Sequence, residues 1–299
     1  MAGTSQTLTA TRVAPHTNTR LVGRLTQILV LLALALLLVL VLVPFLIVAI
    51  NSFKTQSEYA SNGPLSLPQG LYLGAITTFW ERVDFTGKLA NSLIISLAVA
   101  VFGVALSLFN AFALGIGRVK GRILILVFFM IANTLPQEAL AYPLYYFANA
   151  IHIAGHSLYD TQLAVIIIFT VIQSAFGTYL LTSVFSAFPR ELLEAARLDG
   201  ANKVQLLWDI VMPVSMPTLT VLFTFFFIWT WNEFFLPMIM LISNSRQTVP
   251  VAIAVTQGQF NMDAPTASAS ALLGLVPAVI FFILFQRSLT RGITAGSIK

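Results

Sequence analysis

Long stretches without a charged side chain constrain the fold of this 299-residue chain more than any other feature. A helix that crosses the hydrocarbon core of a bilayer, about 30 Å thick, needs roughly 20 apolar residues. Six intervals are long enough: residues 25–53, 89–117, 123–159, 161–189, 210–243 and 264–286. Glu138 interrupts the third interval, which predicts one span near 123–147 and a loop, and Glu233 interrupts the fifth, which predicts one span near 217–242. The sequence therefore predicts an all-α membrane protein with six transmembrane helices.

Composition excludes most other classes of protein. Hydrophobic residues make up 58% of the chain and charged residues 9%, against about 25% charged residues in an ordinary soluble domain. The absence of cysteine excludes disulfides, thiolate zinc sites, iron–sulfur clusters and cysteine nucleophiles, and we expect no metal site. The first apolar stretch is longer than the apolar region of a signal peptide, and no small-residue cleavage site follows it. We therefore predict a retained anchor helix.

The lysines and arginines predict how the chain lies in the membrane. Twelve of the sixteen basic residues fall, three by three, in four segments that a six-span topology places on one side. They are Arg12, Arg20, Arg24, Arg118, Lys120, Arg122, Arg190, Arg197, Lys203, Arg287, Arg291 and Lys299. Because short basic loops stay in the cytoplasm, both termini are predicted to be cytoplasmic. The net charge of +5 is thus a topology signal and not a nucleic-acid patch, since the basic residues are dispersed over short loops.

One predicted cytoplasmic loop, residues 188–216, begins with the pattern of a helix. Pro189 suits the first turn. Leu192, Ala195 and Ala196 follow helical spacing and form a small-sided apolar face. Gly200 then offers the positive φ that ends a helix.

A second helix follows in the same loop. Its apolar face is formed by Val204, Leu207, Trp208 and Val211. We expect this helix to end at Pro213 and Pro217, before the next span. The loop is thus a helix–Gly–helix hairpin, whose apolar faces pack either on this protein or on a docked partner.

The residues of this hairpin resemble the "EAA" loop of ABC importer permeases. That pattern is E-A-A, three residues, Gly, nine residues, Ile, one residue, Leu and Pro, and here it reads EAA-RLD-G-ANKVQLLWD-I-V-M-P. The only departure is Met212 in place of Leu, a swap that conserves volume. The resemblance implies a coupling helix that sits in a groove of an ATPase subunit. The coupling residues would be Glu194, Ala195, Ala196, Asp199, Gly200, Ile210 and Pro213.

Other segments are similar to the carbohydrate branch of that family, and in particular to its smaller maltose-type subunit. They are Asn51–Lys54, Asn91–Leu93, Trp231–Phe234, Gln286–Arg287 and Gly292–Lys299. The resemblance implies a permease for a sugar or oligosaccharide in a prokaryotic cell membrane. It divides the chain into a cytoplasmic tail (1–24), a first transmembrane helix (25–50), an extracytoplasmic loop (51–91), a transmembrane core (85–285) that contains loop 188–216, and a cytoplasmic tail (286–299).

The resemblance also implies partners. The chain has no G-x-x-x-x-G-K-[ST] run that would cradle phosphates, so ATP and Mg are expected on a separate, dimeric ATP-binding subunit and no cofactor on this chain. Because two ATPase subunits offer two docking grooves, a second permease subunit is expected, together with an extracytoplasmic solute-binding protein. The tail residues Thr294, Gly296 and Lys299 are expected to contact the ATPase.

Polar residues inside the predicted spans are candidates for a translocation path. Charges in hydrocarbon are expensive, so Glu138 and Glu233 should face protein or water. Asn133 and Gln137 precede Glu138, and Trp231 and Asn232 precede Glu233. Asn133, Glu138, Trp231, Asn232 and Glu233 therefore either line a path for sugar hydroxyls or hold helices together.

Three alternatives stay open at this point. A permease of the same superfamily could carry a peptide, a polyamine or a phosphate ester instead of a sugar. An intramembrane enzyme would need a Ser/His, His/Asp or paired-Asp arrangement within the spans, but all three histidines lie outside them. A channel or proton-driven carrier is disfavoured by the scarcity of ionisable groups and would leave the hairpin without a role.

Overall fold

The computed structural model describes residues 19–117, 119–153, 155–259 and 263–295. Its helices are α1 (Thr19–Asn51), α2 (Gln56–Asn62), α3 (Gly74–Arg82), α4 (Phe85–Ala111), α5 (Arg122–Thr134), α6 (Gln137–Ala150), α7 (Gln162–Ser186), α8 (Arg190–Leu198), α9 (Lys203–Gln205), α10 (Met212–Asn232), α11 (Phe235–Met240), α12 (Val249–Gln259) and α13 (Ala264–Ala295). Two short strands, β1 (His152–Ile153) and β2 (His156–Ser157), pair as an antiparallel hairpin between α6 and α7.

The helices account for the apolar intervals of the sequence. Among the described residues, five helices are long and apolar enough to cross a membrane, or six if the bent pair α5–α6 is one span. The five are Thr26–Asn51, Phe85–Ile116, Gln162–Ser186, Lys203–Asn232 and Ala264–Gln286. The chain is therefore mostly helical, with five to six candidate spans.

The third predicted span, 123–147, is not one straight helix. Helices α5 and α6 meet at an angle of 98°. Leu135 lies before Pro136 and adopts an extended backbone with ψ of 129°, because the proline ring excludes the helical conformation at the preceding residue. Pro136 itself has ψ of 134°, so the helix restarts only at Gln137. The predicted span is therefore broken at a proline, and it counts as one span only if the bent pair α5–α6 crosses the membrane together.

The centre of the bundle is built from α4, α7 and α10. Gly177 on α7 allows a very close approach, since a Cβ there would lie 2.2 Å from Ser107 Oγ and 2.9 Å from the ring of Phe226. The hydroxyl of Ser107 donates to the carbonyl of Ser174 across the α4–α7 contact (3.3 Å). Small residues at helix crossings are what membrane bundles use, because close backbone packing replaces the hydrophobic effect there.

The helix that enters α10 is longer than the sequence predicts. Lys203–Asn232 is continuous, with π-helical geometry over Leu206–Val211. The N–H of Met212 bonds to the carbonyl of Leu207, five residues back, and this wide turn comes immediately before Pro213. A proline in an α-helix clashes with the carbonyl four residues earlier, and local widening of the helix relieves that clash. The prediction that Pro213 and Pro217 end the helix is therefore wrong.

The bundle has two ends, which we call the hairpin end and the far end. The hairpin end carries α8, α9 and the last turns of α4 and α7, and the far end carries α2, α3, the β-hairpin and the first turns of α4 and α7. At the far end Lys54 is completely buried, and its Nζ donates to Asn51 Oδ1 (2.8 Å) and to the carbonyl of Gly63 (3.1 Å). These two hydrogen bonds of Lys54 hold the segment that follows α1 in place.

Candidate functional site

The turn between α8 and α9 is closed by a complete C-terminal capping motif. Gly200 has a φ of 87°, as predicted for the residue that ends the first helix. The N–H of Ala201 donates to the carbonyl of Ala196 (2.9 Å), and the N–H of Gly200 donates to that of Arg197 (3.1 Å). These two bonds define a Schellman motif, which requires a left-handed residue at the position of Gly200.

The other side of the turn is equally well defined. The side chain of Asn202 accepts bonds from the N–H groups of Val204 (2.9 Å) and Gln205 (3.0 Å), and Gln205 Oε1 accepts one from the N–H of Asn202 (2.9 Å). This reciprocal capping box fixes the start of the helix that continues to Asn232. The two caps together hold the hairpin at a defined angle.

The apolar residues of the first hairpin helix are divided between a buried and an exposed side. On α8, Leu193 and Ala196 are buried in the core, whereas Leu192 and Ala195 are exposed. Leu198 next to the turn is 88% exposed. Of the predicted apolar face, Ala196 packs on the bundle together with Leu193, three residues away. Leu192 and Ala195 stay available to a docked partner, which was the other predicted alternative.

The second helix of the hairpin is divided in the same way. Leu207 and Val211 of the predicted apolar face are buried, with Leu206 beside them, but Val204 and Trp208 are exposed. The π-helical turn brings neighbouring residues, Leu206 and Leu207, onto the buried face. The hairpin thus presents an exposed surface in which apolar side chains lie beside charged ones.

The structure places the seven predicted coupling residues in two groups. Glu194, Ala195, Asp199 and Gly200 are exposed around the turn, and Pro213 is exposed on α10. Ala196 is buried and Ile210 is half-buried against the core. A cavity of about 870 Å³ lies beside α8, and its lining includes Arg122, Arg190, Arg197 and Glu194.

A second, partly open cavity, of about 360 Å³, lies beside α5, α7 and α10, and we call it the polar cavity. It is lined by Asn133, Gln137, Ile172, Gln173, Ile228, Trp229, Asn232 and Glu233. It brings together three of the predicted path residues, Asn133, Asn232 and Glu233. Gln173 lies eleven residues into α7, about 16 Å along the helix at 1.5 Å per residue, so the cavity is near the middle of that span.

Both helix breaks of the bundle meet at this cavity. Asn133 and Gln137 flank the break between α5 and α6, and Asn232 and Glu233 lie at the break between α10 and α11. The carboxylate of Glu233 accepts a bond from the N–H of Phe235 (3.2 Å), so this acid caps the short helix that follows. Interrupted helices at membrane depth are tolerated where they line a cavity or are buried in protein.

Two predicted path residues lie elsewhere. Trp231 is buried and stacks on Phe227 with ring centroids 6.0 Å apart, which fits the helix-packing alternative. Glu138 is exposed on the first turn of α6 and does not line the polar cavity. Of the predicted tail contacts, Thr294 lies in α13 with its side chain outside the described residues, and Gly296 and Lys299 lie outside the described residues altogether.

Sequence reasoning missed the buried amide and the tryptophan of the polar cavity, Gln173 and Trp229, as well as its apolar residues Ile172 and Ile228. Gln173 is uncharged, so it did not interrupt the interval 161–189, although a buried amide in such a run is a signal that could have been used. Trp229, and not the predicted Trp231, is the tryptophan that lines the cavity. Residues two apart in a helix lie on different faces, so the two cannot both face it.

The far end holds a dense polar network around the loop between α11 and α12. Asn91 donates to the carbonyls of Ser245 (2.8 Å) and Gln247 (2.9 Å) and accepts a bond from Gln162 (2.6 Å). Lys88 Nζ donates to the carbonyl of Asn244. This network fastens the loop to the first turns of α4 and α7.

Comparison with known proteins adds the identity of the family. The protein family described as "Binding-protein-dependent transport system inner membrane component" matches residues 103–295. This range is more than half of the chain and includes the hairpin and the polar cavity. The chain belongs to this family. It is therefore a transport component of the cell membrane, and its composition had predicted the membrane location.

Related proteins match over most of their length. The inner membrane ABC transporter permease protein YcjP of Escherichia coli is 31% identical over 258 residues, covering 86% of this chain and 90% of that protein. The trehalose/maltose transport system permease protein MalG of Thermococcus litoralis is 29% identical over 279 residues, covering 92% and 98%. Among solved structures, a bacterial ABC transporter involved in the import of the acidic polysaccharide alginate has a chain with a TM-score of 0.72 at 20% identity, covering 92% of this chain and 99% of that one, so the fold is shared.

Proposed function

We propose that this chain is one half of the translocation path of an ATP-driven importer for a sugar or oligosaccharide. Both termini and the hairpin end would lie in the cytoplasm, as the distribution of basic residues indicates. The energy would come from a separate, dimeric ATP-binding subunit that holds ATP and Mg. A second permease subunit would form the other half, and an extracytoplasmic solute-binding protein would deliver the solute.

The observation that carries the proposal is the continuous helix Lys203–Asn232. It begins at the capped turn beside Gly200 and ends at the polar cavity, where Asn232 lies in the lining. Thirty residues at 1.5 Å each give a rod of about 45 Å. A partner that moves the hairpin therefore moves one wall of the cavity, because the hairpin cannot change its angle without breaking the two caps.

The exposed surface of the hairpin suits a docked partner. Leu198 and Val204 are 88% and 64% exposed at the turn, with Glu194 and Asp199 beside them. These residues lie at the end of the bundle that carries the basic loops, where the membrane interior does not cover them. An apolar surface with a polar rim is typical of a protein–protein contact. The tail residues Thr294, Gly296 and Lys299 would add contacts to the same ATP-binding subunit.

Carbohydrate is favoured as the substrate by the relatives. The Thermococcus permease is named for trehalose and maltose, and the transporter with the shared fold imports alginate. The polar cavity is consistent with this class, since amide groups and a tryptophan suit a neutral, hydroxylated solute. A peptide, polyamine or phosphate ester is the alternative that the experiment must exclude.

The test is reconstitution of the complete transporter. The chain would be produced with the permease, ATP-binding and solute-binding proteins encoded beside it and placed in proteoliposomes. We expect uptake of at least one of radiolabelled maltose, trehalose or cellobiose that requires both ATP and the solute-binding protein. Uptake of spermidine, a tripeptide or glycerol 3-phosphate, with no uptake of any sugar, would overturn the carbohydrate assignment.

A further inference from the structure

Two residues that line the polar cavity each carry a buried amide oxygen without a hydrogen-bond partner among the described residues. The two atoms are Oε1 of Gln137 and Oε1 of Gln173. Gln173 is more than nine-tenths buried in the middle of α7. Leaving a buried acceptor unsatisfied costs about 1–3 kcal/mol, so such groups normally meet a protein group, a water or a ligand.

The amide of Gln173 is incompletely satisfied in either orientation. Its Nε2 lies 2.9 Å from Thr230 Oγ1 on α10. If the amide were turned over, its oxygen would accept from that hydroxyl and its NH₂ group would be left without a partner instead. Thr230 can therefore satisfy one end of the amide, and the other end has no partner among the described residues.

The rest of the lining selects a neutral polyhydroxyl solute. Four amides, from Asn133, Gln137, Gln173 and Asn232, each offer both donors and acceptors, which matches the dual character of a hydroxyl group. The single carboxylate in the lining, Glu233, is already engaged by the N–H of Phe235. No lysine or arginine among the described residues lines the cavity, so none of them would neutralise a phosphate or a carboxylate on the solute there.

One wall of the cavity adds an aromatic surface. Trp229 is 42% exposed and is held in place by Phe225, which stacks on it at 5.6 Å, and by Phe176, which meets it edge-on at 5.2 Å. A tryptophan fixed in this way offers a rigid apolar face to the C–H groups of a sugar ring. Ile172 and Ile228 complete the apolar part of the lining.

We propose that the polar cavity is a solute-binding site on this chain, in which the free amide ends of Gln137 and Gln173 bind hydroxyl groups of a carbohydrate while Trp229 supports a ring face. The proposal rests on the proposed function and makes it more specific, because it assigns direct substrate contacts to this subunit and not only to its partner permease. At about 360 Å³ the site is at the small end of small-molecule pockets and would take one or two sugar rings.

The test measures equilibrium binding to the assembled permease–ATPase complex in nanodiscs, without the solute-binding protein. The probes are radiolabelled maltose, trehalose and cellobiose in a scintillation proximity assay, followed by monodeoxy analogues of the sugar that binds. Loss of one hydrogen bond corresponds to a Kd increase of about threefold to tenfold, which we expect for Gln173→Leu and for Gln137→Leu. On the wild-type complex, an analogue that lacks the contacted hydroxyl should bind less tightly than the parent sugar. On the glutamine variant, the analogue and the parent sugar should bind equally tightly.

Thr170→Val is the matched control. Thr170 lies on the same helix, and its hydroxyl also lacks a partner among the described residues, but it does not line the cavity. We expect this variant to keep the wild-type Kd. Wild-type Kd values in both glutamine variants, or a Kd that rises as much in Thr170→Val, would overturn the site. If Gln173→Leu does not assemble, Gln137→Leu decides alone, because that residue lies at the more accessible start of α6.

These outcomes are distinct from a failure of the proposed function. A complex that imports a sugar in proteoliposomes but shows no change in any variant is a sugar importer without this site. A complex that imports only spermidine, a tripeptide or glycerol 3-phosphate refutes the carbohydrate function itself.

Discussion

Gly200 offers the sharpest test of the proposed docking hairpin. Its φ of 87° is left-handed, and a Cβ at this position would meet no atom within 4 Å. A substitution to valine therefore strains the backbone without a clash at Cβ. That strain amounts to about 1–2 kcal/mol, which lowers the population of the present turn about fivefold to thirtyfold. Because the Schellman bonds of Gly200 and Ala201 depend on this turn, the angle between α8 and α9 would be lost in the same proportion.

The assay is the affinity of the permease pair in nanodiscs for the purified ATP-binding subunit, measured by biolayer interferometry. We expect Gly200→Val to weaken binding about fivefold to thirtyfold while the amount of permease in the membrane is unchanged. Gly200→Asn is the control, since asparagine tolerates the left-handed conformation and should bind almost as the wild type does. Wild-type affinity of the valine variant would refute the reasoning. So would equal weakening by asparagine and valine, since that would show that any side chain at this site interferes.

The remaining predictions concern packing. Ala195→Trp should keep the wild-type melting temperature but lose the ATP-binding subunit on copurification, because Ala195 is exposed. Ala196→Trp should lower the melting temperature because Ala196 is buried. The reverse pattern would contradict the assigned faces. Gly177→Ala should destabilise the protein by about 1–3 kcal/mol through its clash with Ser107 Oγ, and adding Ser107→Gly should restore much of the loss in thermal unfolding. Asn91→Leu should lower the melting temperature and make the loop 243–247 sensitive to protease, because two carbonyls lose their donors; unchanged proteolysis would show that the network is not what fastens the loop.

The parts of the fold that the sequence predicted depend on strong local signals. Charged residues are so costly in hydrocarbon that their absence over more than 20 residues marks a span with few alternatives. Gly200 was predicted to end a helix because glycine adopts positive φ without strain, and its φ of 87° confirms this. The helix end predicted at Pro213 failed because a π-helical turn, which no residue pattern signals, relieves the proline clash.

The polar cavity could be predicted only in part, for a different reason. Asn133, Asn232 and Glu233 stand out as polar residues in apolar spans, but which of them face one another depends on how α5, α7 and α10 are rotated in the bundle. The pattern of a lipid-exposed helix does not fix that rotation, since apolar residues are tolerated on every side. For the same reason Trp231 and Trp229 could not be distinguished before their burial was known.

The π-helical turn at Leu206–Val211 also fixes a rotational phase. An α-helix turns by about 100° per residue, so one residue more or less between the hairpin and Asn232 would rotate the cavity wall by that angle relative to α8. A single-residue deletion in the regular part of the helix would point Asn232 away from the cavity. The wide turn already holds one extra residue, so the same deletion there would make the helix regular and largely keep the present direction of Asn232. A deletion of seven residues, close to two full turns, would nearly preserve the direction but shorten the rod by about 10 Å. The helix can therefore change its length only by numbers of residues close to whole turns if Asn232 is to keep facing the cavity.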